Sequence, residues 1–92
     1  MTGSAEATVT IINKRGLHAR AAAKVCETAI PFRSQIKVSK DGTSVGARSL
    51  MALLMLGAGI GSDVTISAEG DDAEEAVAAL KALVEARFHE EE

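Results

Sequence analysis

Apolar and polar residues alternate in two stretches of this chain, and each alternation predicts a β-strand. In residues 7–12, ATVTII, threonines alternate with Val9 and Ile11, which would share one buried face. Residues 63–70, DVTISAEG, carry the stricter alternation and form the clearest predicted strand. Its apolar face consists of Val64, Ile66 and Ala68.

Helical spacing of apolar residues predicts two longer helices. Residues 19–29 are good helix formers that end before Pro31, and their apolar positions are Ala22, Val25, Cys26 and Ala29. From Asp71 onward, apolar residues fall at positions 73, 76, 77, 80, 83, 84 and 88. Acidic residues in the first turn and Arg87 near the end of this segment would complement the helix dipole.

The middle of the chain predicts a hairpin followed by a short helix. Residues 35–46 read as two strands joined by Asp41 and Gly42, a pair suited to a type I′ turn, with Ile36, Val38 and Val45 facing the core. Residues 49–56 then predict about two turns of helix, with Ser49 as a capping residue and Gly57 after the end.

This order of elements, βαββαβα, predicts an α+β fold. A mainly antiparallel four-stranded sheet would carry three helices on one face, and the other face, rich in Thr, Ser and Lys, would be wet. The length predicts a single domain over residues 1–92, with an ordered core at about 6–88 between a polar N-terminal and an acidic C-terminal end.

Composition narrows the classes of function. A net charge of −3 and an aromatic content of 2% disfavour nucleic-acid binding. A single cysteine and two distant histidines predict neither a disulfide nor a metal site. The longest apolar run, residues 50–61, is too short to span a bilayer and no export signal stands at the start, so we expect a cytoplasmic protein without membrane insertion.

The stretch KRGLHARAAAK, residues 14–24, contains the strongest candidate for chemistry. If a helix begins at Ala19, then His18 adjoins its N-terminus, where unpaired N–H groups and partial positive charge disfavour a protonated ring and favour a bound phosphoryl group. Arg20 is a cation in the first turn, which suggests a nearby anion. Spacing alone leaves His18 open as an ordinary loop residue, and no local motif supports a hydrolase triad.

Three separated segments of this sequence resemble one known family. GLHARAAAK, RSLMALLMLGAG and ISAEGDDAEEAVAALKALV closely resemble the phosphocarrier proteins HPr and nitrogen-branch NPr of the bacterial phosphotransferase system, in order across residues 7–88. The resemblance implies the HPr-like open-faced β-sandwich fold. It also implies a carrier in sugar transport or regulation that is a substrate of other phosphotransferases rather than an enzyme, acts as a monomer and needs no cofactor.

The resemblance also implies roles for particular residues. His18 matches the histidine that accepts a phosphoryl group from enzyme I, on Nδ1, and passes it to an enzyme IIA component. The backbone N–H groups of Ala19 and Arg20 would hold the phosphoryl group, and the Arg20 side chain would balance its charge. Ser49 matches the serine modified by HPr kinase/phosphorylase. The implied partner-docking residues are Ala23, Leu50, Met51 and Leu54.

Three questions stay open at this point. Many family members have proline where this chain has Ala21, which is expected to alter partner preference or loop rigidity slightly. The segments HARAA and MALLMLGAG lean by resemblance toward the regulatory type rather than sugar uptake. The alternative function is a regulatory or small-ligand-binding module of similar fold that is never phosphorylated.

Overall fold

The computed structural model describes residues 3–92 and contains four strands and three α-helices. The strands are β1 (Gly3–Thr10), β2 (Gln35–Lys40), β3 (Thr43–Gly46) and β4 (Asp63–Gly70). The α-helices are α1 (Ala19–Ala29), α2 (Leu50–Met55) and α3 (Ala73–Glu85), and a short 3₁₀ turn covers Arg87–His89.

The four strands form one sheet in the order β1-β4-β2-β3, with every neighbouring pair antiparallel. Val38 of β2 pairs with Val45 of β3 on one side and with Ile66 of β4 on the other, so residues with the same orientation line one face. Asp41 and Gly42 have φ of 50° and 84°, which agrees with the predicted type I′ hairpin. The predicted α+β architecture is confirmed.

The core lies between the helices and one face of this sheet. Val64, Ile66 and Ala68 of β4 are each 2% exposed, and they pack beneath apolar faces of α1 and α3. The opposite face is polar, and there Thr8 and Thr65 hydroxyls lie 3.0 Å apart across β1 and β4. The alternation of apolar and polar residues therefore predicted correctly which face of the sheet is exposed to solvent, because the apolar residues of β4 fall on alternate positions.

Two predicted boundaries and one local conformation differ from the structure. The first strand is Gly3–Thr10 rather than 7–12, because all eight of its residues pair with β4. The last helix ends at Glu85, so Arg87 lies beyond its final turn and cannot complement its dipole as predicted. Phe88 keeps the buried position that the helical spacing predicted, but it does so in a backbone turn with φ of 54°.

Within residues 3–92, no helix combines the length and apolar character needed to cross a membrane.

Candidate functional site

His18 caps the N-terminus of α1 through its side chain. Its backbone is extended, with φ −80° and ψ −178°, and its carbonyl accepts the first helical hydrogen bond from Ala22 N at 2.8 Å. Nδ1 of the ring accepts a hydrogen bond from Arg20 N at 3.3 Å. The imidazole is thus held against the unpaired N–H groups of the helix start, where an anionic group is also favoured.

The loop that presents His18 is fixed by packing against the residues after α2. Leu17 is buried, and its N–H donates to Ala58 O at 2.8 Å. Gly16 has φ of +66° and lies so close to that segment that a Cβ there would stand 2.6 Å from Ala58 O. Only glycine fits both the backbone angle and the space, so Gly16 sets the direction in which the chain enters α1.

Positive charge gathers around the start of α1. The side chains of Arg20 and Lys24 line an open cleft on the helix side, together with Lys14 and Arg15 from the preceding loop. His89 and the three acidic residues at 90–92 line the same cleft. Four cations face three carboxylates in this cleft, so positive charge is in excess beside His18 and can balance the charge of a phosphoryl group at short range.

Glu90 is the residue at this site that sequence reasoning missed. It belongs to the tail segment, residues 86–92, and its Oε2 contacts His18 Nε2. Its Oε1 accepts a hydrogen bond from Asn13 Nδ2 at 3.0 Å. The run of three acids at residues 90–92 gave no sign of which carboxylate would face the ring, because that choice depends on the turn at Phe88.

The contacts of Glu90 determine its charge state. Partial burial raises the pKa of its carboxyl, but the hydrogen bonds from Asn13 and His18, the electrostatic attraction to His18 and the positive charge of Arg15 outweigh that effect. The pKa of Glu90 therefore lies below its ordinary value, and the carboxylate is ionised near neutral pH.

Ser49 lies at the opposite end of α1 from His18. The neighbouring Arg48 donates from Nη2 to Ala29 O at 2.9 Å, which holds the start of α2 near the end of α1. An 11-residue helix is about 16 Å long, so His18 and Ser49 are not brought together.

Ser49 occupies the predicted cap position of α2, but it makes no side-chain capping bond within residues 3–92. The predicted cap position is confirmed, because the Ser49 carbonyl accepts the first helical hydrogen bond of α2, from Leu53 N at 3.0 Å.

The expected docking residues differ in exposure. Leu50 is 40% exposed and Met51 67% exposed, whereas Leu54 packs partly against the core and Ala23 of α1 is half-buried. Met55, at 82% exposure, extends this apolar surface along α2 toward the loop that holds Leu17. A two-turn helix on a sheet can bury only one side, so most of this patch faces solvent.

The remaining candidates are accounted for by their surroundings. Cys26 packs against the core, and burial raises the pKa of its thiol. His89 is exposed on the tail segment. Among residues 3–92 no group of three His, Cys, Asp or Glu side chains is placed to hold a metal ion.

Comparison with known proteins agrees with this geometry. A family model described as the PTS HPr component phosphorylation site matches residues 5–86. The phosphocarrier protein HPr of Cupriavidus necator is 54% identical over 90% of this chain and 93% of its own length. The phosphocarrier protein NPr of Shewanella violacea is 44% identical over 92% of this chain and 93% of its own.

Solved structures show the same relationship. The crystal structure of HPr-C-His from Thermoanaerobacter tengcongensis superposes with a TM-score of 0.91 and 51% identity, covering 96% of this chain and 99% of the other. An antiparallel open-faced sandwich with a histidine at the start of its first helix defines the class of small histidine-containing carriers. The chain belongs to the HPr family of phosphotransferase-system phosphocarrier proteins.

Proposed function

We propose that His18 accepts a phosphoryl group on Nδ1 from phosphorylated enzyme I and passes it to an enzyme IIA component. One observation carries this proposal: Nδ1 faces the N–H of Arg20, where the helix start can stabilise the incoming phosphoryl oxygens. The cleft beside it contributes the Arg20 guanidinium as the counter-charge.

The transfer step is a displacement at phosphorus. The Nδ1 lone pair forms the new N–P bond, while the bond from phosphorus to the donor atom breaks and its electron pair returns to the donor. The N–H of Arg20, which bonds to the free ring, would turn to the bound phosphoryl oxygens, and the N–H of Ala19 would join it there. Such transfer depends mainly on positioning and charge stabilisation, which this helix start supplies and the partner completes.

Ser49 would carry a regulatory phosphate added by HPr kinase/phosphorylase. Its hydroxyl is exposed, and it stands beside Leu50 and Met51 of the exposed apolar surface. A phosphate there would place two negative charges next to the surface that we propose for docking, with Ala23 and Leu54 at its edge. Partners with acidic rims would then be repelled without any change at His18.

The setting of the carrier follows from its family. We infer a cytoplasmic monomer that forms short-lived complexes with enzyme I and enzyme IIA. Relatives named HPr and NPr both match most of the chain, so sugar uptake and nitrogen-branch regulation are the two candidate pathways, and the sequence leans to regulation. Rates of transfer to an enzyme IIA of each type would separate them.

The carrier role is tested by intact-mass spectrometry after incubation with phosphoenolpyruvate and enzyme I. We expect the wild type to gain one phosphate that is lost in acid and survives alkali, and His18→Ala to gain none. His89→Ala is the matched control and should behave as the wild type, because His89 is the other histidine and lies on the exposed turn. An unphosphorylated wild type, with an enzyme I shown to charge another HPr, would favour the ligand-binding module instead.

A further inference from the structure

The two ring nitrogens of His18 face different partners. Nδ1 accepts the N–H of Arg20, so it must present a lone pair toward the helix start. Nε2 contacts Glu90 Oε2, an ionised carboxylate that can only accept a hydrogen bond. The two contacts together assign the proton of the neutral ring to Nε2, which leaves Nδ1 as the nucleophile.

Glu90 is placed by several independent contacts rather than by the acidity of the tail segment. Its side chain is 13% exposed, and Asn13 Nδ2 holds its second oxygen. Asn13 is itself fully buried and donates from the same nitrogen to Gly16 O at 2.9 Å. The carboxylate is therefore connected to the loop that presents His18.

The backbone before Glu90 adopts an unfavourable conformation that serves this placement. Arg87, Phe88 and His89 have φ of 57°, 54° and 63°, and each non-glycine residue in this region costs about 1–2 kcal/mol. Two contacts offset that cost: Phe88 is fully buried, and Lys24 Nζ donates to Phe88 O at 2.5 Å.

We propose that Glu90 is a positioning residue for phosphoryl transfer, which orients the His18 ring and stabilises the positive charge that develops on it. As the Nδ1 lone pair forms the bond to phosphorus, the ring becomes an imidazolium that keeps its proton on Nε2. The Glu90 carboxylate accepts that proton in a hydrogen bond and balances the charge, while the electron pair of the broken bond stays with the donor. In the reverse direction the same contact keeps the ring a good leaving group.

This inference rests on the proposed carrier function and extends it to a residue outside the GLHAR segment. The charged groups that face the ring are Glu90 from the tail segment, Arg20 from α1 and Arg15 from the preceding loop. Because Glu90 lies opposite Nδ1, it leaves the attacking nitrogen open. It therefore differs from a carboxylate that occupies the phosphate position and blocks it.

The test compares the wild type with Glu90→Gln, Glu90→Ala and the control Glu85→Gln, whose exposed side chain lies at the end of α3 outside the cleft. Initial rates of phosphate gain from phosphoenolpyruvate and enzyme I are measured by intact mass over a range of carrier concentrations. We expect kcat to fall about tenfold in both Glu90 variants, the scale of one charge-assisted hydrogen bond, with KM nearly unchanged and the control unaffected. Glutamine keeps an oxygen acceptor, so a fall in Glu90→Gln reports the charge rather than the shape.

A second measurement separates this role from a structural one. The rate of hydrolysis of phosphorylated His18 is followed against pH, and its profile should move to lower pH in both Glu90 variants, because the carboxylate no longer holds the Nε2 proton. Circular dichroism checks that each variant is folded.

The outcomes are distinct. If the wild type is phosphorylated but Glu90→Gln keeps its rate and pH profile, the positioning role is overturned while the carrier function stands. Faster transfer in the Glu90 variants would also overturn it, and would identify the tail segment as an obstruction. A wild type that gains no phosphate at all removes the carrier function, and the role of Glu90 with it.

Discussion

Gly16→Ala is expected to destabilise the protein through a steric clash, in addition to the cost of alanine at a positive φ. The added Cβ would lie 2.6 Å from Ala58 O and 2.7 Å from Gly59 Cα, and both are backbone atoms that cannot rotate away. Ordinary contact begins at 3.4 Å, so the two loops must separate by about 0.8 Å. The hydrogen bond from Leu17 N to Ala58 O, now 2.8 Å, would stretch past its useful range.

The magnitude follows from these separate effects. Alanine at φ of +66° costs about 1 kcal/mol, and loss of the buried hydrogen bond with the forced shift adds about 2 kcal/mol. Gly57→Ala is the matched control, since Gly57 has φ of +68° and nothing within 4 Å of its Cβ position. We therefore expect the free energy of unfolding to fall by about 3 kcal/mol for Gly16→Ala and about 1 kcal/mol for Gly57→Ala.

Urea unfolding followed by far-ultraviolet circular dichroism measures both variants against the wild type. The rate of phosphorylation should also fall for Gly16→Ala, because the shift moves His18 away from the N–H of Arg20, while Gly57→Ala should keep its rate. If Gly16→Ala and Gly57→Ala lose the same stability within about 0.5 kcal/mol, the reasoning is refuted, because the loop after α2 would then move aside at no cost.

Two further predictions concern other parts of the fold. The pKa of Asp72 lies below its ordinary 3.8, mainly because its carboxylate accepts a hydrogen bond from the Ser34 hydroxyl and also one from the N–H of Arg33. The ionised carboxylate therefore stabilises the fold fully above about pH 4, and this stabilisation is lost as pH falls through the lowered pKa. The difference in free energy of unfolding between wild type and Asp72→Asn should thus be constant from pH 7 to 5 and should shrink below pH 4. The exposed Asp71→Asn is the control and should show no such pH dependence. A difference that grows in acid would contradict the prediction. Ala21→Pro should change the free energy of unfolding by less than about 1 kcal/mol, since its N–H lies in the first turn of α1. Stopped-flow rates of phosphoryl transfer should differ between the wild type and Ala21→Pro for at least one partner. Equal rates with every partner would contradict the prediction that Ala21 alters partner preference.

Much of the fold could be predicted because its signals are local. The bounds of α1 and β4 agree with the predicted ones, since helix formers followed by Pro31 and strict alternation in residues 63–70 leave few other choices. The extent of β1 could not be predicted, because Gly3–Ala5 have weak strand preference and become a strand only by pairing with β4.

The same division holds at the candidate site. The amino-acid sequence by itself determined that a histidine and an arginine stand at the start of a helix, because caps and first-turn positions are set within a few residues. It also determined the family, through three segments in the right order. Neither required knowledge of any contact between distant residues.

Only the tertiary structure decided what surrounds the ring. Glu90 is 72 residues from His18 along the chain, and the two meet because buried Phe88 forces a left-handed turn that no local preference predicts. Ser49 lies far from His18 because Arg48 ties the start of α2 to the end of α1. Local preferences act over a few residues, whereas burial and hydrogen bonding between distant segments are settled only when the whole core packs.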